Sequence, residues 1–159
     1  MLCEKVLGNL KEDRFRNLRI DYVDFEWHET YKKLHRKRTH SGVEVGIRFD
    51  NDILLNGVKQ DDVIYVDENT VVAANILPCE SIVIDIDKNH EHMIAKVCYE
   101  IGNKHASLFR GENYLQFITP YNEPTKVLLE KLHGVKVQVK EVKFDFMKSV
   151  SSTVNNHTH

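Results

Sequence analysis

The chain has 159 residues and a mass of 18.6 kDa, enough for one ordinary domain or two small ones, and its 42% hydrophobic and 29% charged residues exclude a largely disordered chain. A total of 22 Lys and Arg against 24 Asp and Glu leaves a formal net charge of −2, so bulk charge does not steer it to a nucleic acid. The longest stretch without a charged side chain, Asn69 to Cys79, falls well short of the ~20 apolar residues of a membrane span, and the charged amino terminus leaves no room for a secretory signal, which predicts a cytoplasmic protein that meets neither nucleic acid nor membrane.

The first half alternates at the two-residue period of half-buried strands. Val23, Phe25 and Trp27 interleave with polar residues, and Val43, Val45, Ile47 and Phe49 with polar or small ones. Asp62 to Val66 and Thr70 to Ile76 flank Asp67-Glu68-Asn69, a polar triplet suited to a hairpin loop. Residues 1–77 thus predict a small, mostly antiparallel β domain. Pro78, which lacks a backbone donor, marks its boundary.

Beyond Pro78 the pattern changes. Ile82, Ile84 and Ile86 line one face of a strand; Ile94, Val97, Cys98 and Ile101 then form the stripe of an amphipathic helix, with Gly102 expected as its C-terminal cap. Residues 107–118 predict a hairpin turning at Gly111-Glu112-Asn113. A second helix enters near Pro124, buries Leu128, Leu129 and Leu132, and ends at Gly134. Val135, Val137 and Val139 alternate in a last strand. Val142, Phe144 and Phe146 continue on the opposite parity, so a bulge or break is expected near Lys140 and Glu141. The order strand, helix, strand, strand, helix, strand over 78–148 is that of a ferredoxin-like βαββαβ domain, making the whole chain α+β. Residues 149–159, rich in Ser, Thr and Asn without periodicity, predict a flexible tail that carries histidines.

Three cysteines, Cys3, Cys79 and Cys98, are widely spaced with no C-x-x-C pair, which excludes a disulfide framework or cysteine zinc site and leaves reduced thiols. Histidine is the unusual residue, with 9 copies. Imidazole suits nickel, zinc and copper. His105 follows Gly102-Asn103-Lys104 in a short loop between helix and strand, a place for an exposed ligand or for an ordinary polar residue; position alone leaves both open. His157 and His159, two residues apart in the tail, could reach one cation or be idle. His90 and His92 flank Glu91 but lack the helical spacing of a zinc motif, which favours structural or solvated roles. His35 and His40 lie in or beside the basic run from Lys32 to Arg38, a solvated face or a docking patch for an acidic partner. Arg110 to Phe117 partly matches an RNA-recognition segment, but Glu112 stands where a base-stacking ring is needed and would repel phosphate. No phosphate loop, nucleophile elbow or spaced acid–base pair indicates an enzyme.

Cys98-Tyr99-Glu100-Ile101-Gly102-Asn103-Lys104-His105, followed by Thr119-Pro120-Tyr121-Asn122 and the Leu128 to Gly134 helix end, resembles the urease accessory protein E family, the nickel metallochaperones of urease assembly. The likeness extends to Val6-Leu7-Gly8-Asn9, Val45-Gly46-Ile47-Arg48 and Asp61 to Tyr65 of the first half, which is similar to the family's peptide-binding β domain. The resemblance implies that His105 is the principal Ni²⁺ ligand, that a homodimer brings two copies together on its two-fold axis, and that the tail histidines, here His157 and His159, complete the shell. It implies a non-enzymatic carrier that hands Ni²⁺ to the urease accessory GTPase and maturation complex, with Zn²⁺ and Cu²⁺ as competitors and room for dimers to pair further around the metal. Lys104 stands where arginine is usual, and Asn122 where an aspartate is common. The alternative is a peptide-binding adaptor with incidental metal affinity.

Overall fold

The computed structural model describes residues 1–151. These form two compact units, Met1–Leu77 and a second beginning at Pro78, with a mixed α/β architecture of sheets and few helices. Among the described residues no helix is long and apolar enough to cross a membrane.

The first unit contains strands β1 (Leu2–Cys3), β2 (Gly8–Asn9), β3 (Arg19–Phe25), β4 (Leu34–Arg38) and β5 (Glu44–Arg48). One helical turn, α1 (Ile53–Asn56), leads to β6 (Asp62–Val66) and β7 (Thr70–Ile76). They pair as a three-stranded sheet, β1-β5-β4, and a four-stranded sheet, β2-β6-β7-β3. Val23 and Phe25 of β3, Val72, Ala74 and Ile76 of β7, and Val45 and Ile47 of β5 meet in one core, so the sheets bury apolar faces in common. A second cluster of Phe15, Val63 and Val71, flanked by Leu7, Leu10 and Leu18, involves the opposite parity of β6 and β7.

The β6–β7 hairpin forms where its polar triplet predicted it, with the Asp67 carboxylate accepting from Asn69 N at 2.9 Å and Thr70 N at 2.8 Å. The antiparallel expectation fails at two other pairings. β3 runs parallel to β7 over seven residues, from Arg19 opposite Thr70 to Phe25 opposite Ile76, and β1 runs parallel to β5. The run Val71 to Ala74 is buried on both parities, as parallel strands commonly are. Trp27 does not extend β3. Glu26 and Glu29 cap each other reciprocally and turn Trp27–Glu29 into a 3-10 helix.

The second unit contains β8 (Cys79–Ile86), α2 (Met93–Asn103), β9 (Phe109–Arg110), β10 (Gln116–Pro120), α3 (Glu123–Glu130) and β11 (Val135–Val142). Its sheet order is β11-β8-β10-β9 with every pairing antiparallel. Ile82, Ile84 and Ile86 pack with Val97 and Ile101 of α2 and Leu129 of α3. The break expected near Lys140 and Glu141 is absent, since β11 pairs with β8 continuously from Val135 opposite Ile86 to Val142 opposite Cys79. The parity change marks instead a second buried layer. Val83, Phe109 and Phe144 are buried on residues of opposite parity to the helix-packed set, and the Phe109 and Phe144 rings stack at 4.4 Å. The chain then turns through Phe146–Lys148, bridges Phe109 at Ser149, and donates from Val150 N to Leu108 O at 2.9 Å. Residues 149 and 150 of the expected tail are therefore paired, and residues 152–159 lie outside the described residues.

Candidate metal centre

Helix α2 does not end at Gly102. It continues through Asn103, and the left-handed residue that closes it is His105, with φ +56°. His105 N donates to Gly102 O at 3.0 Å and Ala106 N to Ile101 O at 3.3 Å, the two bonds of a Schellman motif. Buried Ile101 and half-buried Ala106 belong to one apolar cluster, which anchors the turn from within. Glycine is usual at this place because any Cβ crowds the left-handed conformation. The chain puts an imidazole there, and that imidazole is exposed.

The loop is tied across to α3. Lys104 Nζ donates to Thr125 Oγ1 at 3.3 Å, and Thr125, buried at 3% exposure, donates from both its backbone N and its hydroxyl to Asn122 Oδ1, at 3.1 and 3.0 Å. Asn122 is the N-cap of α3, with Pro124 in the first turn. Its side chain is thus committed to capping. Asn122-Glu123-Pro124-Thr125, a capping asparagine three residues before a threonine with a proline between them, is the sequence signal for this support.

Thiolate ligation by Cys3 or Cys98 is disfavoured. Burial pushes the Cys3 thiol up to about 11 and raises that of Cys98, both away from the thiolate that a metal needs. Among the described residues no group of three or more His, Cys, Asp or Glu stands converged on one point. His105 is therefore a single exposed donor on a fixed loop. His157 and His159 lie outside the described residues. His35 and His40 have local roles. His35 sits edge-on to Phe25 at 5.1 Å, with its pKa lowered by burial, and His40 contacts Asp24 at 2.8 Å. His90, His92 and His133 gather elsewhere, at the start of α2 and the end of α3.

The first unit has a cleft of about 460 Å³, lined by Val6, Asn9, Phe49, Ile53 and Asp62 among others. Burial raises the Asp62 carboxyl, which accepts from Lys59 N at 2.8 Å and Asn9 Nδ2 at 3.1 Å.

Two family models match the chain: the N-terminal domain of UreE urease accessory protein over residues 3–77 and its C-terminal domain over residues 81–159. Proteins named urease accessory protein UreE are similar throughout. That of Helicobacter pylori (strain P12) is 42% identical over 145 residues, covering 91% of this chain and 83% of the relative. The protein of Helicobacter acinonychis (strain Sheeba) shows the same identity and coverage, and that of Helicobacter bizzozeronii is 34% identical over 151 residues, 95% of this chain and 83% of the relative.

Proposed function

Because this chain belongs to the UreE family of urease accessory proteins, whose role is in urease maturation and which are chaperones rather than enzymes, we propose that it is a nickel metallochaperone whose homodimer holds Ni²⁺ between two copies of His105. The observation that carries the proposal is the exposed imidazole on a left-handed residue, fixed by the Schellman bonds and the Lys104–Thr125–Asn122 chain. One imidazole does not fill a nickel shell, whereas a two-fold axis duplicates the ligand without further sequence. Gly102 supports close approach of a second copy. A Cβ there meets nothing within 4 Å, so packing within the chain does not require a glycine, and the helix surface beside the 68%-exposed Tyr99 stays low.

His157 and His159 complete the shell in this reading, and Zn²⁺ and Cu²⁺ compete for it. The second unit is a ferredoxin-like domain, supported by the order β11-β8-β10-β9 with α2 and α3 as crossovers. The first unit offers its cleft to a peptide of the maturation machinery. The carrier works in the cytoplasm and passes its cargo to the urease accessory GTPase.

Calorimetric titration of Ni²⁺ into the wild type and His105→Ala, with mass measured by light scattering, tests the proposal. The expected result is a dimer whose tight binding collapses in the variant. An unchanged isotherm would overturn the assignment and favour the peptide-binding adaptor.

A further inference from the structure

Three histidines that the candidate centre does not use come together at one end of the second unit. His90 closes the 3-10 turn after β8, His92 precedes α2, and His133 lies in the turn before β11. The His90 ring centre is 4.6 Å from that of His133 and 5.9 Å from that of His92. We propose that His90, His92 and His133 form a second site for a borderline divalent cation, Ni²⁺ or Zn²⁺, separate from His105.

The spacing of His90 from each of its two neighbours fits a shared ion. Two imidazoles bound at about 2.0–2.1 Å from nitrogen to metal have ring centres roughly 4.5–6.4 Å apart for bond angles between about 90° and 180°. The separations of His90 from His133 and from His92 both fall in that window. The rings now stand edge to face at 80° and tilted at 46°, so their donors do not converge, and the ion must rotate rings rather than move backbone. His92 and His133 are exposed, so rotating either ring disturbs no buried core.

His90 is the fixed member. Its side chain is 27% exposed, and its Nδ1 lies 3.4 Å from Asp87 Oδ1, a carboxylate placed to orient the ring and leave Nε2 for a ligand. Gly134, at φ +76°, lets the backbone pass over it: a Cβ there would stand 2.4 Å from His90 Cγ. Asp87 N donates to Gly134 O at 2.8 Å, locking the turn of His90 to that of His133. Glu91, between the two histidines in sequence, accepts from the Tyr114 hydroxyl at 2.6 Å.

The test uses the full chain carrying His105→Ala, His157→Ala and His159→Ala, which removes every candidate ligand of the proposed carrier centre. Titrated with Ni²⁺ alone, this protein is expected to retain one ion per chain. Adding His90→Asn and His133→Asn is expected to weaken that binding at least ~10-fold. Should the half-buried His90 variant fail to fold by circular dichroism, His92→Gln with His133→Gln, both on exposed side chains, replaces it with the same expectation. Absence of residual binding before the second substitutions overturns the proposal, as does residual binding that they leave unchanged. Neither result bears on His105, so failure here is distinguishable from failure of the carrier reading.

Discussion

At the scale of single residues, His105 sets stability against function. An L-residue in the left-handed region costs about 1 kcal/mol relative to glycine, and the Schellman bonds on either side hold the backbone there regardless. His105→Gly is therefore expected to raise unfolding stability by up to about 0.5 kcal/mol, the relief of strain being partly offset by the freer unfolded chain. The same change deletes the proposed ligand. Urea unfolding of metal-free protein, paired with Ni²⁺ titration, should show a higher midpoint and lost affinity together. A lower midpoint would mean that the imidazole makes favourable contacts that outweigh its strained backbone.

At the scale of elements, the loop is only as rigid as the start of α3. Asn122 caps that helix and accepts both the backbone and hydroxyl donors of buried Thr125, and Thr125 in turn receives Lys104 from the loop. Asn122→Ala should cost about 1 kcal/mol for the lost cap, and more if the Thr125 hydroxyl finds no other acceptor. Asn122→Asp should preserve stability, because a carboxylate caps equally well and suits the positive end of the helix. Thermal midpoints of the two variants check both; equal losses would place the cap elsewhere.

The elements themselves were largely legible. Alternation in Ile82 to Ile86 and the three- and four-residue stripe of Ile94 to Ile101 are local signals, and both elements formed. What failed was information the local chain does not hold. Nothing in Arg19 to Phe25 says that its partner is Thr70 to Ile76 or that the two run parallel. Gly102 carried the stronger capping signal, yet the tertiary fit of Ile101 and Ala106 moved the left-handed residue to His105. Along the chain alone the parity switch at Val142 points to a break, because a strand's second face is invisible until Phe109 and Phe144 stack on it. His90 and His133, far apart in sequence, were likewise beyond any spacing rule.

At the scale of the whole molecule, the carrier reading makes the unit of function larger than the chain. Among the described residues no three donors converge, and His105 stands on the surface as one imidazole. If the ion sits on a two-fold axis, a dimer with one His105→Ala subunit has lost half of the site's fixed ligands, and its affinity should approach that of the doubly substituted dimer. Wild-type and His105→Ala chains, unfolded together and refolded so that subunits mix at random, then give a capacity for tight Ni²⁺ binding that follows the square of the wild-type fraction. An equal mixture should retain about a quarter of the wild-type capacity when the ligand is shared, and about half when each chain binds alone. Both chains carry His90→Asn and His133→Asn in this titration, so that only the His105 phase is counted. A linear dependence on the wild-type fraction would leave His105 a ligand but remove the second subunit from its site.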